Sequence, residues 1–222
     1  KVPQQCDPLV PADLDMARFE YLLDHTFSKL HVLPLEEAIG RLQTGTLPRR
    51  AACITFDDGY PDWLAGVAPA LRRRNLHATF FITSGQFDGV PLWHERILAA
   101  VRRLSGPSLD MGIPFLPAQP VASIDDRRRQ VQRLEQELKY LTLYRREQIL
   151  QQLEAEAGVH SADVPVMSET QLRDLHSQGF GIGAHTALHP ILDYCNAEEV
   201  EREIGGARER LQAIVRGPVN GF

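Results

Sequence analysis

The stretch Ala51-Ala52-Cys53-Ile54-Thr55-Phe56-Asp57-Asp58-Gly59-Tyr60 decides how this chain is read. An apolar run ends abruptly in two adjacent carboxylates and a glycine. The run is short, partly β-branched and aromatic, and closed by Gly59 and Pro61. It is therefore predicted to be a buried strand ending in a loop. Neighbouring residues of a strand point to opposite faces, so Asp57 and Asp58 cannot do the same job. Ionising two carboxylates at a buried strand end is costly unless a cation or a hydrogen-bond network offsets it. Taken alone, Asp58-Gly59 is equally an ordinary turn, and the decision passes to the rest of the chain.

Downstream, Leu64, Val67, Ala68 and Leu71 form the apolar face of a helix stopped at Asn75, with Asp62 as its expected N-cap. His77 to Thr83 (HATFFIT) reads as a second strand. Strand, helix and strand make a βαβ unit, which favours parallel pairing and a right-handed crossover. In such units the loops at the C-terminal strand ends carry the chemistry, and Asp57 and Asp58 lie in one of them. Upstream, Phe19, Leu22, Leu23 and Phe27 recur at helical spacing with Asp13 or Asp15 as cap. Pro34 opens a second amphipathic helix with Leu35, Ala38, Ile39 and Leu42 on one face.

Residues 91–160 change character: a helix over Leu92 to Leu104, a proline-rich loop from Gly106 to Pro120, and a long charged helix over Ile124 to Ala157. This segment is expected to be a helical insertion within a single domain spanning 1–222. The βα pattern then resumes. Ser168 and Gln171 form a capping box, Gly179 ends that helix, and Phe180 to His185 (FGIGAH) is a third strand. It runs into His185-Thr186-Ala187-Leu188-His189. A helix over Ala197 to Val215 follows, capped by Asn196, and Val219 to Phe222 begins a fourth strand.

Across its 222 residues the chain is 43% hydrophobic and 24% charged, ordinary for a globular protein with a core of useful size. A formal net charge of -5 argues against nucleic acid as a partner. The arginine clusters Arg72-Arg73-Arg74 and Arg127-Arg128-Arg129 fall within helical patterns and read as solvated faces. Cys6, Cys53 and Cys195 form no metal or disulfide framework, and Cys53 reads as a buried small hydrophobe. No apolar run reaches the length of a membrane span. The chain starts at Lys1 without a visible leader, which leaves the compartment open between bacterial envelope, periplasm and cytoplasm, and the oligomeric state is equally open.

His185 and His189 stand four apart at a strand exit. If the backbone there curls into a helical turn, both imidazoles share one face, as in a two-histidine metal half-site. The pattern is not HExxH, because Thr186 occupies the position of the glutamate base. Both motifs sit at C-terminal ends of predicted parallel strands and so face one rim. Two histidines and a carboxylate make a three-ligand site with an open position, the mark of a catalytic metal. One aspartate ligates and the other is left to move a proton.

TFDDGY followed by HTALH resembles the first two motifs of the NodB-type polysaccharide deacetylases, carbohydrate esterase family 4. ATFFIT resembles that family's second strand, and MSETQLRDLHSQGFGIGAHTALHPIL its approach to the histidines. LPLEEAIGRL and the helical insert look like the exopolysaccharide-biosynthesis subgroup. The resemblance spans about residues 19–100 and 165–222. It implies a distorted (β/α) barrel and metal-dependent hydrolysis of acetyl groups from an N-acetylated polysaccharide or oligosaccharide. It implies Asp57 as general base, and Asp58, His185 and His189 as ligands of a divalent metal: zinc by default, with cobalt, nickel or iron also fitting. An O-acetyl esterase and an inactive carbohydrate-binding homologue are the alternatives. The family's third motif is expected to start at Val219. Its oxyanion and general-acid residues are expected beyond Phe222, so the sequence reads as lacking C-terminal barrel strands. The remaining histidines, His94 among them, match no later motif by context. Of the other rim candidates, Trp93 is expected to be a buried helix start, Tyr60 is placed to line the site, and Gly181 and Gly183 allow close packing.

Overall fold

A single extended segment, Ala51 to Phe56, serves two ladders. In the computed structural model, which describes residues 1–222, its first half is strand β2 (Ala51–Ala52) and its second half β3 (Thr55–Phe56). The first half pairs in parallel with β1 (His31–Val32), and the second with β4 (Thr79–Ile82). The apolar run predicted one strand. Cys53-Ile54, outside both ladders, divides it, and Cys53 is only half-buried. β4 then pairs in parallel with β7 (Gly181–Ala184), and Gly221 bridges in parallel to Gly183 as the next step outward. The ladders form a parallel α/β arc with every chain direction alike, as the βαβ reading requires. β1 was not anticipated; two residues carry no alternation to read.

Helices fill the crossovers. α1 (Met16–His25) is capped by Asp15, whose carboxylate accepts from the Arg18 N–H at 2.8 Å. α2 (Leu35–Gln43) follows Pro34, but its apolar face is only partly covered: Leu35 and Ala38 are half-buried, while Ile39 and Leu42 are exposed. α3 (Val67–Arg73) returns the chain to β4 and buries Val67, Ala68 and Leu71 completely, and Asn75 ends it in the left-handed region with φ 53°. Asp62 does not cap it. Asp62 sits in a short 3₁₀ turn and accepts from the Val2 N–H at 3.2 Å. Phe80 of β4 is fully buried between Phe56 and Trp63, both 5.0 Å away between ring centroids, with Phe180 edge-on at 5.3 Å.

The second hydrophobic cluster lies between β4 and β7 in sequence and is built from helices. It packs α4 (Trp93–Arg103) against α5 (Ile124–Leu138) and α6 (Leu143–Ala157), burying Ile97, Val101, Leu134, Leu138, Ile149 and Leu153. The long helix expected over 124–157 breaks at Lys139–Thr142, where the Thr142 hydroxyl accepts from the Arg145 N–H. The expected loop from Gly106 to Pro120 holds a short antiparallel pair, β5 (Ser108–Leu109) with β6 (Gln119–Pro120). The arginine clusters are engaged. Arg127 donates to the carbonyls of Val101, Arg102 and Leu104, satisfying the end of α4, and Arg74 grips Asp24 with two hydrogen bonds.

α7 (Glu169–Ser177) begins with the expected Ser168–Gln171 capping box. The final helical stretch, capped by Asn196, comprises α8 (Ala197–Glu201), a π-helical turn over Arg202–Gly206 and α9 (Ala207–Val215). Gly181 and Gly183 keep close contacts, as expected: a Cβ at Gly183 would enter the Phe81 ring. No helix is long and apolar enough to cross a membrane.

Candidate metal centre

Asp57 and Asp58 leave β3 on the same rim as His185 and His189 leave β7, with β4 between them. The β4 exit joins both. The Asp58 carbonyl accepts from the Thr83 N–H at 3.1 Å and from the Gln86 side-chain amide at 2.6 Å, while Gln86 in turn accepts from the Met167 N–H. On the other side, Ser84 and Gly85 donate N–H bonds to the carbonyls of Thr186 and Ala187. This close approach requires a glycine at 85, because a Cβ would stand 2.6 Å from the Ala187 carbonyl oxygen. Gly59 is equally constrained, with φ +98° and the Gln86 amide 2.8 Å from a would-be Cβ.

Asp57 and Asp58 do differ. Asp58 has φ 88°, an unusual left-handed conformation for a non-glycine residue, and is half-buried, whereas Asp57 is exposed. The histidine segment is not the helical turn considered from the spacing. It is an irregular bend in which Thr186 and His189 have φ 63° and 54°. The Thr186 hydroxyl accepts from the His189 N–H at 3.0 Å, so the residue that stands in place of a glutamate base closes the turn.

The result is a triangle of donor atoms. His185 Nε2 and His189 Nε2 are 3.2 Å apart, and Asp58 Oδ1 lies 3.5 Å from the first and 3.4 Å from the second. Zinc–nitrogen and zinc–oxygen bonds of roughly 2.0–2.2 Å at tetrahedral angles require donors about 3.3–3.5 Å apart. The three atoms therefore fit a divalent cation, and two imidazoles with one carboxylate are donors of the kind that hold one.

Electrostatics agree. Burial works to raise the Asp58 carboxyl, but hydrogen bonding to His189 and the charges of His94, His189 and His185 bring it down to about 2. Burial lowers His185, helped by His189 and opposed by Asp58 and Asp57. The site thus favours an ionised carboxylate beside a neutral imidazole, the forms that ligate metal.

Two neighbours complete the site. His94, on the first turn of α4, places Nε2 2.8 Å from the Tyr60 hydroxyl and 3.7 Å from Asp58 Oδ2, and burial lowers its pKa. Sequence context gave His94 no role. Its only signal was the rim position of Trp93-His94-Glu95, where Trp93 is indeed a buried helix start. Tyr60 lines this side, and burial raises its phenol far above the ordinary range, with Glu95 and Asp58 adding to the shift. Gln86 carried no sequence signal at all. Asp57, His185 and His189 share the wall of an open hollow of about 490 Å³ with Phe81, Ile191 and Phe222.

A family profile described as polysaccharide deacetylase matches residues 44–103 and 142–222. Among solved structures, the fold is similar to the Streptococcus pyogenes deacetylase PplD in complex with acetate, at 13% identity and a TM-score of 0.57 over 96% of this chain and 65% of that one. It also matches the deacetylase domain of BpsB from Bordetella bronchiseptica, at 14% identity and TM-score 0.46 over 90% and 64% of the two chains. A third match is IcaB from Ammonifex degensii, at 15% and 0.48 over 93% and 64%. The chain therefore spans just under two thirds of the length of these structures. No curated protein matches it in sequence.

Proposed function

The chain belongs to the polysaccharide deacetylase family, and from that premise we propose that it hydrolyses acetyl groups from an N-acetylated polysaccharide or oligosaccharide, with a divalent cation held by Asp58, His185 and His189. The observation that carries this reading is the donor triangle, with edges of 3.2 to 3.5 Å. Zinc is the first choice for two imidazoles and one carboxylate. The cation, when bound, supplies Lewis acidity that polarises the acetyl carbonyl and lowers the pKa of a water to about 7.

The chain's own residues supply the rest. Asp58 turns Oδ1 toward His185 and His189, where it would hold the cation, and faces His94 with Oδ2. Asp57, one residue earlier and exposed in the same hollow as His185 and His189, is free to take the proton of the attacking water. On this reading the two adjacent carboxylates are tolerated because one is neutralised by a cation and the other faces solvent. Phe81, Ile191 and Phe222 give the lining of the hollow apolar surface against which a sugar face or an acetyl methyl can rest.

The test is Asp57→Asn. Turnover on an N-acetylated oligosaccharide should fall by about 10²–10⁴-fold, the usual worth of a general base, while bound zinc is retained. Wild-type turnover in the variant would remove Asp57 from the role.

A further inference from the structure

The bend that carries the two histidines is gripped from both sides by buried charges that touch neither imidazole. Glu203 is 3% exposed, and its Oε2 accepts from the N–H groups of Ala187 at 2.9 Å and Leu188 at 2.8 Å. Arg146 is 4% exposed and donates to the carbonyls of Leu188 at 2.7 Å and His189 at 3.1 Å. An anion therefore sits on the N–H side of the turn and a cation on its C=O side, each matched to the sign of the backbone dipoles it meets. These are charge-assisted bonds, the stronger kind.

The two side chains come from separate places. Glu203 belongs to the π-helical turn Arg202–Gly206, and such an extra-residue turn re-aims a side chain that a regular helix would carry elsewhere. Arg146 belongs to α6 in the helical cluster, and its guanidinium lies 4.9 Å from the centroid of the Trp93 ring, which fixes its plane. Burial pulls Arg146 down to about 10, with Glu203 pushing it back up, so it remains a cation at neutral pH.

A grip of this kind is needed because Thr186 and His189 both hold left-handed backbone, which costs on the order of 1–3 kcal/mol per residue and persists only where the surroundings over-determine it. Relaxing His189 would swing its imidazole out of the donor triangle. Burying a guanidinium and a carboxylate carries a desolvation cost, and the hydrogen bonds that offset it here go to the backbone of the histidine turn. We infer that Arg146 and Glu203 are positioning residues that pre-set the His185–His189 turn for the cation, making the helical cluster part of the metal site. This rests on the metal reading given above.

The experiment measures the zinc dissociation constant of the metal-free protein and of Glu203→Ala, Glu203→Gln, Arg146→Met and Arg146→Lys, alongside amide exchange at Ala187 and Leu188. Loss of outer partners of metal ligands usually weakens affinity by about 10–100-fold. That loss is expected in Glu203→Ala and Arg146→Met, with faster exchange of the two amides. Glu203→Gln keeps an acceptor for both N–H groups and should recover most of the affinity even if the alanine variant folds poorly. Arg146→Lys has no planar fork for two carbonyls and should recover little. Wild-type zinc affinity in folded Glu203→Ala and Arg146→Met would overturn the inference. Absence of zinc binding by the wild-type protein would instead overturn the metal reading itself.

Discussion

At the scale of the residue, function turns on a few strained positions. Asp58, Thr186 and His189 all adopt positive φ, and all three belong to the donor triangle or close it. Gly59 holds the same region open, since its φ and the Gln86 amide leave no room for a side chain. Gly59→Ala should destabilise the protein by about 1–3 kcal/mol, read as a lowered urea midpoint. An unchanged midpoint would mean that the Asp58–Gln86 contact is not held as described. The pairing of Asp57-Asp58 with His185 and His189 was legible from the sequence because strand ends and ligand spacing are local signals. His94, Gln86, Arg146 and Glu203 were not, because each reaches the site from another element through a contact that no periodicity encodes.

At the scale of the element, sequence patterns gave the type of most segments and missed where they break. α5 and α6 share one continuous apolar pattern, so the four residues that separate them leave no trace beyond the Thr142 cap. The π turn is likewise hidden inside a good helical pattern, although Gly205 and Gly206 mark it. α4 and α6 are locked by Arg96, which donates to Glu154 at 2.7 and 2.9 Å and to Glu147 at 2.6 and 3.0 Å. The side chains of Arg96 and Glu154 are 4% and 8% exposed, so removing one leaves the other's charge buried. Arg96→Met should cost about 3–5 kcal/mol in chemical denaturation. A cost below about 1 kcal/mol would show that the network contributes no more than a surface pair.

At the scale of the molecule, the parallel arc β1, β2–β3, β4, β7 places the exits of β3 and β7 on one rim, either side of β4, and the candidate site sits where their loops converge. The βαβ reading predicts that rim, because parallel strands put their C-terminal ends on one edge of the sheet. The exposed Ile39 and Leu42 on α2 were beyond its reach, since amphipathicity reveals an apolar face and not whether anything covers it. The proposed chemistry needs a cation joining the loops after β3 and β7. The direct measurement is calorimetric titration of the metal-free protein with zinc, beside the same titration of His185→Ala. One zinc per chain for the protein and none for the variant is the predicted result. Equal stoichiometry in both would contradict the ligand set on which the proposed deacetylase rests.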